Sequence, residues 1–150
     1  MDENGIAKVV VDLAVQIHQE LGPGLLESVY ETTLAHELRE RGLDARRQVA
    51  VPIRYHNIVF DEGLRADIVV EDKVLVELKC VVRIHPAHRK QVLSYLRLTD
   101  LKLGLLLNFG ESLMRNGISR VVNGLEGQTI EAKKAQLHLA QNTSSSPSSG

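Results

Sequence analysis

Two β-rich stretches, residues 65–70 and 74–80, flank the polar triplet Glu71-Asp72-Lys73. They read as a strand pair closed by a short turn. With a three-residue turn, Val70 faces Val74 and Asp67 faces Glu77. One face of the pair then holds Ile68, Val70, Val74, Val76 and Leu78, all apolar. The other holds Asp67, Val69, Leu75, Glu77 and Lys79. A two-residue turn would send Asp67 and Glu77 to opposite faces, because side chains alternate along a strand. The three-residue turn is therefore the expected one. A chain built around this pair needs a sheet with one wholly apolar face, and that face must be covered.

The flanking sequence supplies the cover. Ile6, Val10, Leu13, Ile17 and Leu21 recur at three- and four-residue steps and predict an amphipathic helix over residues 3–21, stopped by Gly22-Pro23-Gly24. A second helix is expected over residues 26–41, with Gly42 as its cap. Residues 49–55 are rich in β-branched residues and read as a strand, with Pro52 marking an edge or an irregularity. His56-Asn57 reads as a turn. Residues 58–60 continue the sheet, and Asp61-Glu62-Gly63 is expected to break it. Pro86 opens a helix to about residue 98. Residues 101–109 form a nearly continuous apolar run, as in a strand covered on both faces, and residues 118–122 form a short further strand. The expected fold is mixed α/β, with an early meander and a later crossover that brings in a parallel strand. Residues 1–130 read as a single domain. Residues 131–150 carry a weak helical pattern and then a Ser-rich tail expected to be disordered.

Composition excludes several classes. Eighteen basic and 19 acidic residues give a net charge of −1, so a strongly basic nucleic-acid coat is absent, although a local basic patch is not excluded. Cys80 is the only cysteine, which rules out an internal disulfide, a thiolate-clamped zinc and a four-cysteine iron–sulfur cluster. No apolar run approaches the roughly 18 residues of a membrane helix, and no membrane partner is expected. The acidic start does not read as a signal peptide, so a cytoplasmic protein is expected. Five aromatic residues and no Trp make a stacking platform for single strands unpromising.

The chemistry lies in the carboxylates. Like charges facing each other on adjacent strands destabilise by roughly 0.2–1 kcal/mol. Lys79, on the same face, offsets part of the repulsion, and a divalent cation would offset the rest. The bare spacing D-x₉-E-x-K is also what a solvated sheet face with a surface ion pair displays. On the second helix, Glu27 lies only about 20° from Leu34 and Leu38 and so projects along the edge of the apolar stripe. A carboxylate there is also favoured simply by the helix dipole. Gln91 and Tyr95 share a helical face. His85 and His88 lack a third soft ligand nearby. Two basic clusters, Arg83/His85/His88/Arg89/Lys90 and Arg39/Arg41/Arg46/Arg47, are phosphate-binding candidates, the second reading better as a solvated face.

Together these residues resemble a known family. Gly24-Leu25-Leu26-Glu27-Ser28-Val29-Tyr30 is a G-x-x-E-x-x-Y motif. Arg65-Ala66-Asp67 followed by Glu77-Leu78-Lys79 resembles the PD-(D/E)XK nuclease signature, with Ala66 where the strict pattern has proline. Gln91-x-x-x-Tyr95 resembles the QxxxY element of RecB-type nucleases. Residues 21–109 are thus similar to the GxxExxY branch of the PD-(D/E)XK superfamily. The resemblance implies a restriction-endonuclease-like core, a mixed sheet flanked by helices, here with an extra N-terminal helix. It implies a nuclease acting on DNA, with Mg²⁺ or Mn²⁺ held by Asp67, Glu77 and the Leu78 carbonyl, and Glu27 as a further ligand. Lys79 would activate water and stabilise phosphorane charge, and Gln91 and Tyr95 would support the site or contact phosphate. The alternative is a catalytically silent nucleic-acid-binding or protein-interaction module on the same scaffold. A protein partner or a homodimer is compatible with either.

Overall fold

The computed structural model describes residues 1–125, and the weakly helical segment and Ser-rich tail expected over residues 131–150 lie outside them. The elements run α1 (Glu3–Leu21), α2 (Glu27–Glu40), β1 (Ala45–Tyr55), β2 (Ile58–Val70), β3 (Val74–Lys79), α3 (Pro86–Thr99), β4 (Leu103–Asn108), a 3₁₀ turn (Met114–Gly117) and β5 (Ile118–Val122). The five strands form one sheet in the order β1-β2-β3-β4-β5. All neighbours are antiparallel except β3 and β4, which run parallel through the α3 crossover. This is the mixed α/β core with an extra N-terminal helix that the sequence predicts.

Two apolar layers sandwich the sheet. Ile6, Val10 and Leu13 of α1 and Tyr30, Leu34 and Leu38 of α2 pack on Ile68, Val70, Val74, Val76 and Leu78. Val92, Tyr95 and Leu96 of α3 pack on the opposite face, against Val69, Leu75 and Leu106. Covered on both sides, all six residues of β4 are buried. Gly104 lets α3 approach closely, since a Cβ there would stand 2.6 Å from Val92 Cγ1.

The β2–β3 register pairs Val70 with Val74 and Ile68 with Val76, so the turn has the expected three residues. Glu71 and Asp72 take left-handed backbone angles, φ 55° and 51°, to make it. The Glu71 N–H donates to the Asp44 carbonyl and its carboxylate accepts from the Asp44 N–H, both at 2.8 Å, tying the turn to the start of β1.

One expectation fails. Asp61-Glu62-Gly63 does not interrupt β2, which runs unbroken from Ile58 to Val70. The triplet is absorbed opposite Pro52, where the register shifts between Val51↔Leu64 and Ile53↔Phe60. Pro52 has no N–H to contribute to a ladder, so an irregularity there loses little. The Ile53 side chain folds over Gly63, where a Cβ would lie 2.1 Å from its Cδ1. β1 also starts four residues before the β-branched stretch, at Ala45.

Gly104→Ala is expected to lower stability by about 1–3 kcal/mol, because buried Val92, a β-branched residue within a helix, has little rotamer freedom to yield. Chemical denaturation with unchanged m-value checks this.

Candidate active site

The ladder between β2 and β3 stops at Ile68↔Val76, one pair short of Asp67 and Glu77. The β1–β2 ladder also skips one pair, Gln48 opposite Asp67, between Arg47↔Ile68 and Val49↔Ala66. At this point the paired strands change faces. Ala45, Ile68 and Val70 pack with α1 and α2, whereas Val49, Val51, Leu64 and Ala66 pack with α3. Residues two apart in a regular strand share a face, so the alternation is broken at Gln48 and Asp67. Gln48 has φ 52°, in the left-handed region.

Buried backbone groups at such a fork need partners. The two carboxylates supply them. Glu77 Oε1 accepts from the Asp67 N–H at 3.0 Å, and Asp67 Oδ2 accepts from the Leu78 N–H at 2.9 Å. The acidic side chains thus bridge the strands where the carbonyl ladder ends, and they meet through these backbone contacts although the alternation is broken at Asp67.

Their electrostatics are unfavourable without a counterion. Glu77 is 4% exposed, and its carboxyl is pushed up to about 8, first by burial and then by the charge of Asp67. Asp67 is also raised, by burial, although the Leu78 N–H favours its charged form. Lys79 lies close enough for its charge to lower both, yet among the described residues it forms no ion pair with either.

Glu27 opens α2, whose N-cap residue Leu26 offers no side-chain cap. Its carboxyl is raised by partial burial and then by Asp67, with Lys79 opposing, so it belongs to the same field although its side chain is exposed overall. Tyr30 explains how Glu27 is placed. Its hydroxyl donates to the Gly22 carbonyl and accepts from the Leu25 N–H at 3.2 Å, and its ring stacks on Phe109 at 4.4 Å. The tyrosine of the G-x-x-E-x-x-Y motif therefore pins the loop that carries the glutamate.

Tyr95 is 2% exposed, and its hydroxyl donates to the Arg65 carbonyl, two residues before Asp67. Burial and then Glu77 push it up to about 12. Gln91 is exposed on α3 and makes no hydrogen bond to the cluster. His85 and His88 cap α3 reciprocally, His85 Nδ1 accepting from the Ala87 N–H and His88 Nδ1 from the His85 N–H, so both rings have a structural task. The second basic cluster is occupied internally: Arg39 donates to the Ala45 carbonyl, Arg41 pairs with Glu37, Arg46 with Asp72 and Arg47 with Glu31.

Two residues had no motif to single them out. Glu31, 5% exposed on α2, accepts from Arg47 Nε and Nη2 at 3.1 and 2.6 Å and from Gln48 Nε2 at 2.6 Å. Gln48 Nε2 also reaches Asp67 Oδ1 at 3.4 Å. The one available signal was Glu31 lying one helical turn after Glu27.

A helix-flanked mixed sheet whose forked central strands carry an acid pair, followed two residues on by a lysine, defines a nuclease-type α/β scaffold. The chain belongs to the PD-(D/E)XK nuclease superfamily, which it matches over residues 4–121. No curated protein matches it. One similar solved structure is described as "Crystal structure of SSO0001", with 19% identity and a TM-score of 0.46 over 77% of this chain. The chain covers 56% of that protein's length. No helix among the described residues is long and apolar enough to cross a membrane.

Two outcomes are expected. In chelator, the raised Glu77 stabilises the fold through its proton. That contribution is complete below the ordinary carboxylate range and is lost as pH rises through about 8. Wild-type unfolding free energy should therefore fall between pH 5 and pH 8 by on the order of a few kcal/mol, with melting temperature following, and Glu77→Gln should remove most of that slope. Tyr30→Phe leaves the Gly22 carbonyl and the Leu25 N–H without their partner and should cost about 1–3 kcal/mol in denaturant unfolding.

Proposed function

We propose that this chain is a metal-dependent nuclease that hydrolyses phosphodiester bonds, with DNA as its substrate. One observation carries the reading: at the strand fork the buried Glu77 and the half-buried Asp67 each accept a backbone N–H beside the charge of Lys79, and the Glu77 carboxyl is pushed up to about 8. Superfamily membership supports it. The motif from Gly24 to Tyr30 supports the GxxExxY branch, and Gln91 with Tyr95 supports the likeness to RecB-type nucleases.

The donor set fits a hard divalent cation. It is all oxygen, it carries excess negative charge, and each carboxylate keeps an oxygen not used by the backbone. Among the described residues no cluster of three or more His, Cys, Asp or Glu side chains is arranged to hold a metal. In this reading Asp67, Glu77 and the Leu78 carbonyl would hold Mg²⁺ or Mn²⁺, with Glu27 as a further ligand and the other positions left to water and phosphate. Magnesium commonly binds in that manner. When bound, the ion supplies the charge that acidifies an attacking water and neutralises phosphate oxygens.

The chain's own residues do the rest. Lys79, without an ion pair among the described residues, is placed to meet the charge that develops on phosphorus oxygens. Tyr95 fixes the strand that presents Asp67. Gln91, exposed on the same helix, is available to a phosphate, as are Arg83 and Lys90 near the start of α3. Residues 1–130 act as one domain, in the cytoplasm and without a membrane partner. A protein partner or a homodimer would enlarge the binding surface of a chain with net charge −1. A silent nucleic-acid-binding or protein-interaction module is favoured by one fact, that both carboxylates already serve backbone N–H groups.

Assays on single- and double-stranded DNA and RNA, with Mg²⁺ or Mn²⁺, separate the two. The nuclease reading expects metal-dependent cleavage of DNA, abolished in Asp67→Asn and reduced about 10²–10³-fold in Lys79→Met. It also expects millimolar Mg²⁺ to raise the melting temperature of wild type more than that of Asp67→Asn. No cleavage and no thermal shift would establish the silent scaffold.

A further inference from the structure

The strand fork depends on a residue outside every motif. We infer that Gln48 is the positioning residue for Asp67, working with Glu31 and Arg47 as one chain of contacts. The functional meaning of this inference rests on the nuclease reading. The contact chain itself does not.

The argument begins with the backbone. Gln48 adopts φ 52°, a region unfavourable for a non-glycine residue and retained when surroundings demand it. Here it coincides with the change of faces in β1. A regular strand would keep Arg47 and Val49 on one side. The left-handed step instead lets Arg47 reach α2 while Val49 packs toward α3, and it sets the Gln48 side chain between Glu31 and Asp67.

The side chain is chemically suited to that place. A primary amide nitrogen carries two hydrogens and no charge. One goes to Glu31 Oε1 at 2.6 Å and the other to Asp67 Oδ1 at 3.4 Å. Glu31 is in turn gripped at Oε2 by Arg47. The anchored Glu31 thus holds the amide, and the amide orients Oδ1 while Oδ2 takes the Leu78 N–H. The same amide separates two carboxylates, and the charge of Glu31 raises the proton affinity of Asp67. Any other acidic or basic side chain at position 48 would either add repulsion or compete with Lys79 for the acids. Partners one bond removed from a ligand typically change metal affinity 10–100-fold when lost.

The test is Gln48→Gly, which keeps the left-handed backbone without strain and removes the amide. Gln48→Glu, similar in length but without either donor, is the second variant. Amide hydrogen exchange in chelator reads the positioning directly, because the Leu78 N–H is held by Asp67. Exchange at Leu78 should accelerate about tenfold or more, while slow amides directed to β4, such as that of Leu75, change little. A residue with a merely structural role would lower the protection of all slow amides together, and that pattern, or an unchanged Leu78, overturns the inference. Mn²⁺ titration by calorimetry is the second arm, with about a tenfold loss of affinity expected in Gln48→Gly. An unchanged affinity in the variant, with wild type binding normally, also overturns it. If wild type takes up no Mn²⁺ and cleaves nothing while Leu78 is selectively loosened, the nuclease reading falls and the positioning of Asp67 by Gln48 stands.

Discussion

The exchange of hydrogen bonds between Asp67, Glu77 and the backbone at the end of the β2–β3 ladder is the interaction on which the rest of the structure depends. Two strands that part inside a protein leave N–H groups that water cannot reach. Here carboxylates replace the missing carbonyls. The same substitution buries two acids within reach of each other and raises the proton affinity of both. Structural need and chemical potential therefore come from one arrangement, and the site is not an ornament added to a finished sheet.

The surrounding elements hold that fork from both sides. α3 closes one face and fixes the Arg65 carbonyl through Tyr95. α2 closes the other and contributes Glu31, while its N-terminal end is set by Tyr30 against Phe109. The aromatic residues near the site are thus spent on positioning backbone. The charged residues divide in the same way: Arg39, Arg46 and Arg47 serve the fold, whereas Lys79 forms no ion pair among the described residues.

Much of this was legible in the sequence, for identifiable reasons. The three-residue turn follows from the apolar pattern of the strand pair and brings Asp67 near Glu77, but the break in alternation at Asp67 does not follow from that pattern. The helices show in their apolar stripes, and β4 in its unbroken run. Asp61-Glu62-Gly63 misled because turn-forming composition was weighed without the partner strand. Pro52 across the ladder is what makes room for the extra residues. Gln48 left no trace because the left-handed conformation is advertised by glycine or asparagine, and glutamine has no such preference. Glu31 looked like one more acid on a helix, since its role is created by Arg47 and Gln48 from a different element. Gln91 matches a motif and lies exposed on α3.

The parallel pairing of β3 with β4 has a kinetic consequence. The β1–β2 hairpin and the β2–β3 turn are local, and contacts of that kind can form on the microsecond scale. β4 reaches β3 only after the chain has passed through α3, so this pairing waits on a longer loop closure. Glu77 and Lys79 sit on the strand that joins these two regimes. An early hairpin would already present the acids to one another, but their low-dielectric surroundings arrive only when β4 and α3 dock. The raised proton affinity at the fork is therefore among the last properties the chain acquires as it folds.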